Sequence, residues 1–453
     1  MSDDRIKVLS LSDSLNVPTG YARVMREIIT RMDPDKFDWH HLGTQTQGMP
    51  RLESTDFSMI DKSNKEIYEE AKKQGFSTNY KKFNKWFSNS FTKVLPVGGN
   101  PDGSDIFKHH KNKIQPDICF FLKDLWMYNW VLNEDFSPAK SIFYYPADGY
   151  PMPLDNHKHI IKSDQAVAMS KFGKQCGEEY LYTDAIDGKK KRLGDVLTNP
   201  IKHIPHGVDN KTFKALKPNE VDEIKRKNGM ENQFVIGFVG RNQPRKSHSV
   251  LIKAYAEFAK DKRDVSLYLH CDLNDPANQG ANLSGMVRDY DVPNFRFTKM
   301  QSFKYGVTDK VLNEIYNCFS VHAPISSGEG FGIPIIESAA CGVPNILTDY
   351  TTSAELLGLE RENEIYPDIY NLPKDNIITK QGILVPPNCL ITGSMNVERA
   401  IADPNKVIEA LQYMYDNPSE VKKMGAKSKK FALTYDWDDI STEWATLFTE
   451  MAQ

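Results

Sequence analysis

Cysteine is scarce and scattered. The 453 residues hold six, Cys119, Cys176, Cys271, Cys318, Cys341 and Cys389, with no CxxC pair. No histidine stands at zinc-ligand spacing from any of them, which excludes the common zinc modules and a disulfide framework. Buried free thiols are the expectation. Long apolar runs are also missing: no window approaches the roughly 20 apolar residues of a membrane-spanning helix. The opening Met1-Ser2-Asp3-Asp4 is acidic and has neither a basic n-region nor an apolar h-region. A cytoplasmic location is therefore expected, with peripheral contact at a membrane surface left open. An excess of either charge is absent too, the formal net charge being -3. That sum hides an asymmetry of about +3 over residues 1 to 215 and about -6 over the rest. An anionic acceptor is expected to prefer the first half.

What is present is an ordinary folded composition. Hydrophobic residues make up 40% and charged residues 26%, far from the signature of disorder. The length exceeds one hydrophobic core, so two domains are expected. Ile6 to Leu11 reads as a buried strand, Asp13 to Thr19 as a loop with Pro18, and Gly20 to Met32 as a helix. Further strands are predicted at Ile118 to Leu122, Ser141 to Tyr145, Gln165 to Met169 and Lys202 to Ile204. The pattern restarts after Ala215 to Asn219, with strands at Phe234 to Val239, Val265 to His270, Phe295 to Thr298, Val321 to Ala323 and Asn345 to Leu347. Crossover helices are predicted at Ser249 to Lys260, Thr308 to Cys318 and Pro334 to Ala340. Alternating strands and helices predict α/β architecture, two doubly wound parallel sheets. The expected division is 1-215 and 216-436, with 437-453 crossing back to the first part. Glu360 to Asn376 reads as an insertion loop, before a short strand at Ile383 to Val385. Lys189 to Arg192 reads as a solvated loop.

Ligands of open α/β sheets bind at the carboxyl ends of strands, where helix N-termini favour anions. The strand Phe234 to Val239 ends in Gly240-Arg241-Asn242-Gln243-Pro244-Arg245-Lys246, a glycine turn followed by three cations. An arginine fork and a lysine charge suit a departing diphosphate, without a metal or any other cofactor. A solvated basic loop is the plainer alternative. The strand Val321 to Ala323 ends in a segment carrying Gly328, Glu329, Gly330, Phe331, Gly332, Ile333 and Glu337, with Pro334 suited to a helix start. The glycines allow a ligand close to the backbone, and both carboxylates can accept hydroxyl hydrogens from a sugar or ribose.

Glu329 and Glu337, with seven residues between them inside EGFGIPIIE, resemble the E-x7-E motif of retaining glycosyltransferases of family 4. PTGYARV, QPDICFF, AVAMSKFG, IPHGVDNKTF, GRNQPRK and YDWDDISTEW agree with that family in order. The resemblance implies a GT-B fold, two Rossmann-like domains facing across a cleft. It implies Arg241 and Lys246 on the donor diphosphate, with Gly240 in the turn before them. Glu337 falls on the ribose, and Glu329 with the amides of Gly330, Phe331, Gly332 and Ile333 on the transferred sugar. Gly20 approaches the phosphate from the opposite domain. The implied donor is a nucleotide-diphosphate sugar, UDP-glucose or a similar UDP-sugar, with no metal required. The implied reaction is transfer with retention to a glycan, glycolipid or protein hydroxyl.

The sequence departs from that pattern in two places: His206 stands where the family commonly has Asn, and Asp148 near where many members carry a catalytic histidine. Asp148 either reaches the cleft, orienting an acceptor hydroxyl or binding the donor sugar, or forms an Asx-turn with Gly149. Lys72 to Lys93 interleaves lysines with Phe76, Tyr80, Phe83, Trp86, Phe87 and Phe91. An amphipathic helix with a core-facing aromatic side is the first reading; membrane or nucleic-acid contact, as in viral-type glycosylation of a modified nucleobase in DNA, is the other. A nucleotide-sugar epimerase, a non-catalytic sugar-nucleotide-binding protein and, more weakly, a glycoside hydrolase complete the alternatives.

Overall fold

The computed structural model describes the chain apart from residues 1-3, 16, 18, 45-50, 55-90, 154, 185, 277-278, 300-305, 362-371 and 394; for 51-54, 91-93 and 96 it describes backbone only. Pro18, most of the basic aromatic stretch and the centre of the Glu360 to Asn376 loop lie outside the described residues.

Two sheets dominate. The first contains β1 (Ile6–Asp13), β2 (Phe37–Thr44), β3 (Arg51–Ser54), β4 (Phe91–Pro96), β5 (Ile118–Leu122), β6 (Lys140–Tyr145), β7 (Gln165–Ala168) and β10 (Lys202–His203). A separate hairpin pairs β8 (Leu181–Thr183) with β9 (Lys190–Arg192). The first sheet runs β10-β7-β6-β5-β1-β2-β4-β3, parallel except for β3. The second contains β11 (Phe234–Val239), β12 (Val265–His270), β13 (Phe295–Phe297), β14 (Val321–His322), β15 (Asn345–Thr348), β16 (Ile377–Ile378) and β17 (Gly382–Val385), in the order β13-β12-β11-β14-β15-β17-β16. A hairpin of β18 (Pro387–Thr392) and β19 (Glu398–Ala402) follows.

The strand order reverses between β1 and β5 in the first sheet and between β11 and β14 in the second. Loops leaving neighbouring strands diverge at such a switch point and open a crevice beyond the carboxyl ends. Those four strand ends therefore frame the site. The strands are apolar on both faces, as a sheet covered by helices on both sides requires: all five residues of β5 are buried, as are the last five of β6 and of β11.

The helix Gly20–Arg31 starts where β1 dictates. Thr19 caps it by accepting from the N–H of Ala22 at 3.1 Å, and its hydroxyl donates to Asp13 Oδ2 at 2.5 Å. The cap is thus tied back to the strand end, fixing the angle of the helix. At the far end of the chain the helix Trp437–Met451 lies on the first sheet. Trp444 packs on Tyr144 with centroids 4.7 Å apart, and Phe448 sits 5.3 Å from Phe120 and 5.4 Å from Trp39.

Three details differ from the sequence reading. Lys190–Arg192 is a strand of a hairpin, not a loop, because its three residues pair in register with Leu181–Thr183. Phe91 and Lys93, the end of the basic aromatic stretch, open strand β4 instead of continuing a helix. Five cysteines are buried free thiols, but Cys389 is exposed, since β18 belongs to the outlying hairpin. Among the described residues no helix is long and apolar enough to cross a membrane.

Candidate active site

The loop after β14 forms one wall. Gly328 and Gly332 adopt φ of 153° and 103°, backbone that side-chain-bearing residues rarely take. At Gly328 a Cβ would also lie 2.0 Å from the backbone O of Asp148 in the other domain. The loop then enters the helix Ile333–Ala340 with Gly332 as N-cap; Pro334 has no N–H and that of Ile335 donates to Gly332 O at 2.8 Å, so Ile333 is the residue of this first turn whose amide is left for a ligand. Gly20 is opposite: a Cβ there would touch Ile333 Cδ1 at 3.6 Å. The start of the first domain's leading helix and the start of this helix therefore meet across the cleft.

Glu329 is buried, and both of its carboxylate oxygens are engaged. Lys246 Nζ donates to Oε1 at 2.5 Å and Arg245 Nη1 to Oε2 at 2.9 Å. Its own N–H donates to Thr351 Oγ1 at 2.9 Å. Burial pushes the carboxyl up, but Lys246 and then Arg245 outweigh it and hold the group at about 2. Glu329 is an anion at any ordinary pH.

Arg245 is the residue that the sequence reading left without a role. Its guanidinium donates to Gly328 O and Glu329 within its own domain, and its Nε lies 3.2 Å from Asp148 Oδ2 across the cleft. A turn of 3-10 helix at Pro244–Lys246 places Arg245 and Lys246 side by side towards Glu329. Arg241, on the preceding turn, is exposed. The segment GRNQPRK thus sends two cations into the Glu329 cluster and holds a third at the solvent edge, next to Gly240.

Glu337 is 2% exposed and bound on both oxygens. Tyr316 donates to Oε2 at 2.7 Å, and Arg23, from the first domain's leading helix, donates to Oε1. The other arm of Arg23 pairs with Asp309. Burial pushes the Glu337 carboxyl up to about 7 despite Arg23 and Tyr316.

The first domain contributes three acids. Asp13 is buried and paired to Lys123 at 2.9 Å, with Lys123 donating to Thr44 at 2.6 Å. Asp124 accepts from Tyr21 Oη at 2.9 Å, and burial followed by the charge of Asp148 raises it to about 6. Asp148 follows β6, and its carboxylate lies between Arg245 and Arg399, whose Nη2 is 2.9 Å from Oδ1. This is the cleft-facing alternative of the two considered.

His206 is buried at the domain junction. Its ring is 4.9 Å from that of Phe331, and Nδ1 shares a 2.8 Å hydrogen bond with Tyr144 Oη, which also donates to Ile204 O at 2.8 Å. Burial lowers it to about 3, so it is a neutral packing residue. Phe331 is itself core, 3% exposed. Its side chain fixes the position of the loop after β14 and its carbonyl accepts from Thr352 Oγ1 at 2.8 Å, so its amide is what is left for a ligand.

The glycine turn and Lys246, Glu329 and Glu337 were legible from motif spacing. Arg23 lies in PTGYARV, and its helical position one turn from Gly20 was the available signal. Tyr316, Asp309, Tyr21 and Arg399 carry no local pattern that separates them from surface or core residues.

Residues 220–362 match the model of the family described as glycosyl transferases group 1. A D-inositol 3-phosphate glycosyltransferase of Kineococcus radiotolerans is 25% identical over 66% of each chain. A serotype-specific mannosyltransferase WbdA of Escherichia coli is 28% identical over 26% of this chain and 14% of its own length. The matches thus span two thirds or less of these curated relatives. Among solved structures, a sucrose-phosphate synthase from Thermosynechococcus elongatus superposes with TM-score 0.68 over 99% of both chains at 14% identity. Anabaena Alr3699/HepE in complex with UDP and glucose gives 0.65 over 98% of this chain and 100% of its own, also at 14% identity. The chain has a GT-B fold, and the match to the group 1 glycosyl transferases falls within its second domain.

Proposed function

We propose that this chain is a retaining glycosyltransferase of family 4 that moves a hexose or related sugar from a UDP-sugar to an acceptor hydroxyl. One observation carries the reading: the anion Glu329 sits with Lys246 and Arg245 at the switch point of the second sheet, opposite Asp148 of the first domain. Carboxylates for hydroxyls beside cations for phosphates suit a sugar joined to a diphosphate.

In this reading Lys246 and Arg241 take the diphosphate, with Gly20 and Gly240 leaving room for it. Glu337 is assigned to the ribose, so Arg23 and the ribose hydroxyls share its carboxylate. Glu329, with the amides of Gly330, Phe331, Gly332 and Ile333, orients the transferred sugar, and Asp148 the acceptor hydroxyl. The bond from the anomeric carbon to the phosphate oxygen breaks, and the acceptor oxygen bonds to that carbon on the same face. The hydroxyl proton passes to a phosphate oxygen of the departing diphosphate. The developing charge is met by fixed cations, which cost no reorganisation at the moment of reaction. These groups supply the neutralisation that a metal would otherwise give, so metal-independent turnover is part of the proposal. UDP is preferred because the similar Alr3699/HepE structure holds UDP and glucose.

The test is thermal stabilisation by a panel of nucleotides and nucleotide sugars, with and without EDTA. A ligand of the native state raises the melting temperature. A selective shift by UDP and UDP-sugars that survives EDTA is expected. No shift with any nucleoside diphosphate sinks the reading, and a shift abolished by EDTA removes its metal-independent part.

A further inference from the structure

The hairpin β18-β19 leaves the second sheet and meets the segment that follows β6 in the first domain. Glu398 donates its N–H to Tyr150 O at 2.8 Å, forming an antiparallel bridge. Tyr350 Oη accepts from the N–H of Tyr150 at 3.0 Å and donates to Glu398 O at 2.9 Å. Two residues further on, Ala400 donates to Ser327 O at 3.0 Å, in the donor loop. The approach is too close for a side chain at position 149: a Cβ on Gly149 would lie 2.4 Å from Val397 Cγ1 and 2.6 Å from Glu398 O.

Arg399 lies between these two backbone ties. Its Nη2 is 2.9 Å from Asp148 Oδ1, and its Nη1 donates to the backbone O of Asp148. The second carboxylate oxygen faces Arg245 Nε at 3.2 Å. Both guanidinium groups belong to the second domain and Asp148 to the first, so the grip on Asp148 exists only where the two domains meet. A planar fork that takes carboxylate and carbonyl together fixes the side-chain torsions as well as the backbone. A tether between domains would need only the backbone bridge at Tyr150.

We propose that Arg399 is a positioning residue of the transfer reaction: it fixes Asp148 when the cleft is closed, so that Asp148 orients the acceptor hydroxyl in the closed state alone. This rests on the transferase reading, with Asp148 on the acceptor side. Arg399 lies beyond the matched residues 220–362, so the device belongs to the hairpin and not to the matched family domain.

The test is a double-mutant cycle in the full chain, with UDP-glucose and then other UDP- and GDP-sugars as probes. It reads the kcat of nucleotide release in the presence of a panel of glycan, glycolipid and peptide hydroxyl acceptors, which take the sugar, with the Kd for UDP measured by calorimetry. Arg399→Ala and Asp148→Asn are each expected to lower kcat about 10- to 100-fold, the scale on which small misplacements act. The Kd for UDP is expected to stay within about threefold, and the double variant to be no slower than the slower single one, as for residues acting through one another. Arg399→Lys, which keeps the charge without the fork, is expected to recover only part of the loss. Losses that add, full recovery by lysine, or a kcat for Arg399→Ala within about twofold of the parent chain would overturn the proposal while leaving the transferase reading intact. A parent chain that releases no nucleotide from any of the sugars overturns both.

Discussion

Arg23 of the first domain donates to Glu337 of the second, and the same guanidinium reaches Asp309. The side chain of Glu337 is 3% exposed and that of Arg23 16%, so this is a buried pair across the domain boundary. Without Arg23 the Glu337 carboxyl, already pushed up to about 7, takes up a proton and is not left as a bare charge, so the cost is that of lost hydrogen bonds to charged groups, about 1.5–3 kcal/mol. Arg23→Ala is therefore expected to lower the urea midpoint by an equivalent amount. A loss below about 1 kcal/mol, the worth of an exposed pair, would mean that the contact is not formed in solution.

Lys246 has a different position, beside Glu329 at the end of β11. Lys246→Ala is expected to cut turnover about 10²–10³-fold, the usual worth of one preorganised donor at a developing charge. Arg245 remains on Glu329 Oε2, so the protein stays folded. Near-normal transfer by both Lys246→Ala and Glu337→Ala would remove the site assignment.

The anion at Glu329 gives a pH dependence with a defined sign. Its carboxyl falls from the ordinary 4.5 to about 2 in the folded chain, so the folded state binds fewer protons than the unfolded one between those values. The resulting stability, about 3 kcal/mol at most, is present above pH 4.5 and is lost as pH falls towards 2. Urea unfolding of the parent chain and of Glu329→Gln between pH 6 and 3 checks this. The parent is expected to lose its advantage on the acid side, and parallel curves would show that Glu329 is not held as an anion by Lys246 and Arg245.

The sheets were readable because their strands are apolar on both faces and punctuated by glycine and proline. Phe234–Val239 and Ile118–Leu122 occur with the bounds expected of them. Strand β2 was not predicted: FDWHHLGT places Trp39, His40 and His41 where an apolar run was sought. His41 is buried by bonds to Ser10 and Asp13 O, partners visible only in three dimensions. The same limit applies to the site. Glu329 and Glu337 stand out by spacing, whereas Arg399 is brought to Asp148 by a hairpin with no hydrophobic pattern of its own, β18 being largely exposed.

Arg241 and Arg245 offer the sharpest separation of binding from architecture. Both belong to one basic segment after β11, but Arg245 is gripped by Glu329, Gly328 O and Asp148, whereas Arg241 stands exposed at the cleft edge. Arg245 balances two carboxylates of the fold, so its removal disturbs the protein more than that of Arg241. Arg241→Ala is expected to weaken UDP binding about 10-fold or more, the loss of one charge-assisted contact, with a smaller fall in melting temperature than Arg245→Ala in the absence of nucleotide. Arg245→Ala is expected to lower that melting temperature, because Asp148 and Glu329 then face each other with one cation fewer. Calorimetric titration of UDP and thermal unfolding of the two variants decide the matter. The reverse pattern, with Arg241→Ala less stable and Arg245→Ala failing only to bind UDP, would transfer the diphosphate role to Arg245 and leave Arg241 as a residue of the fold.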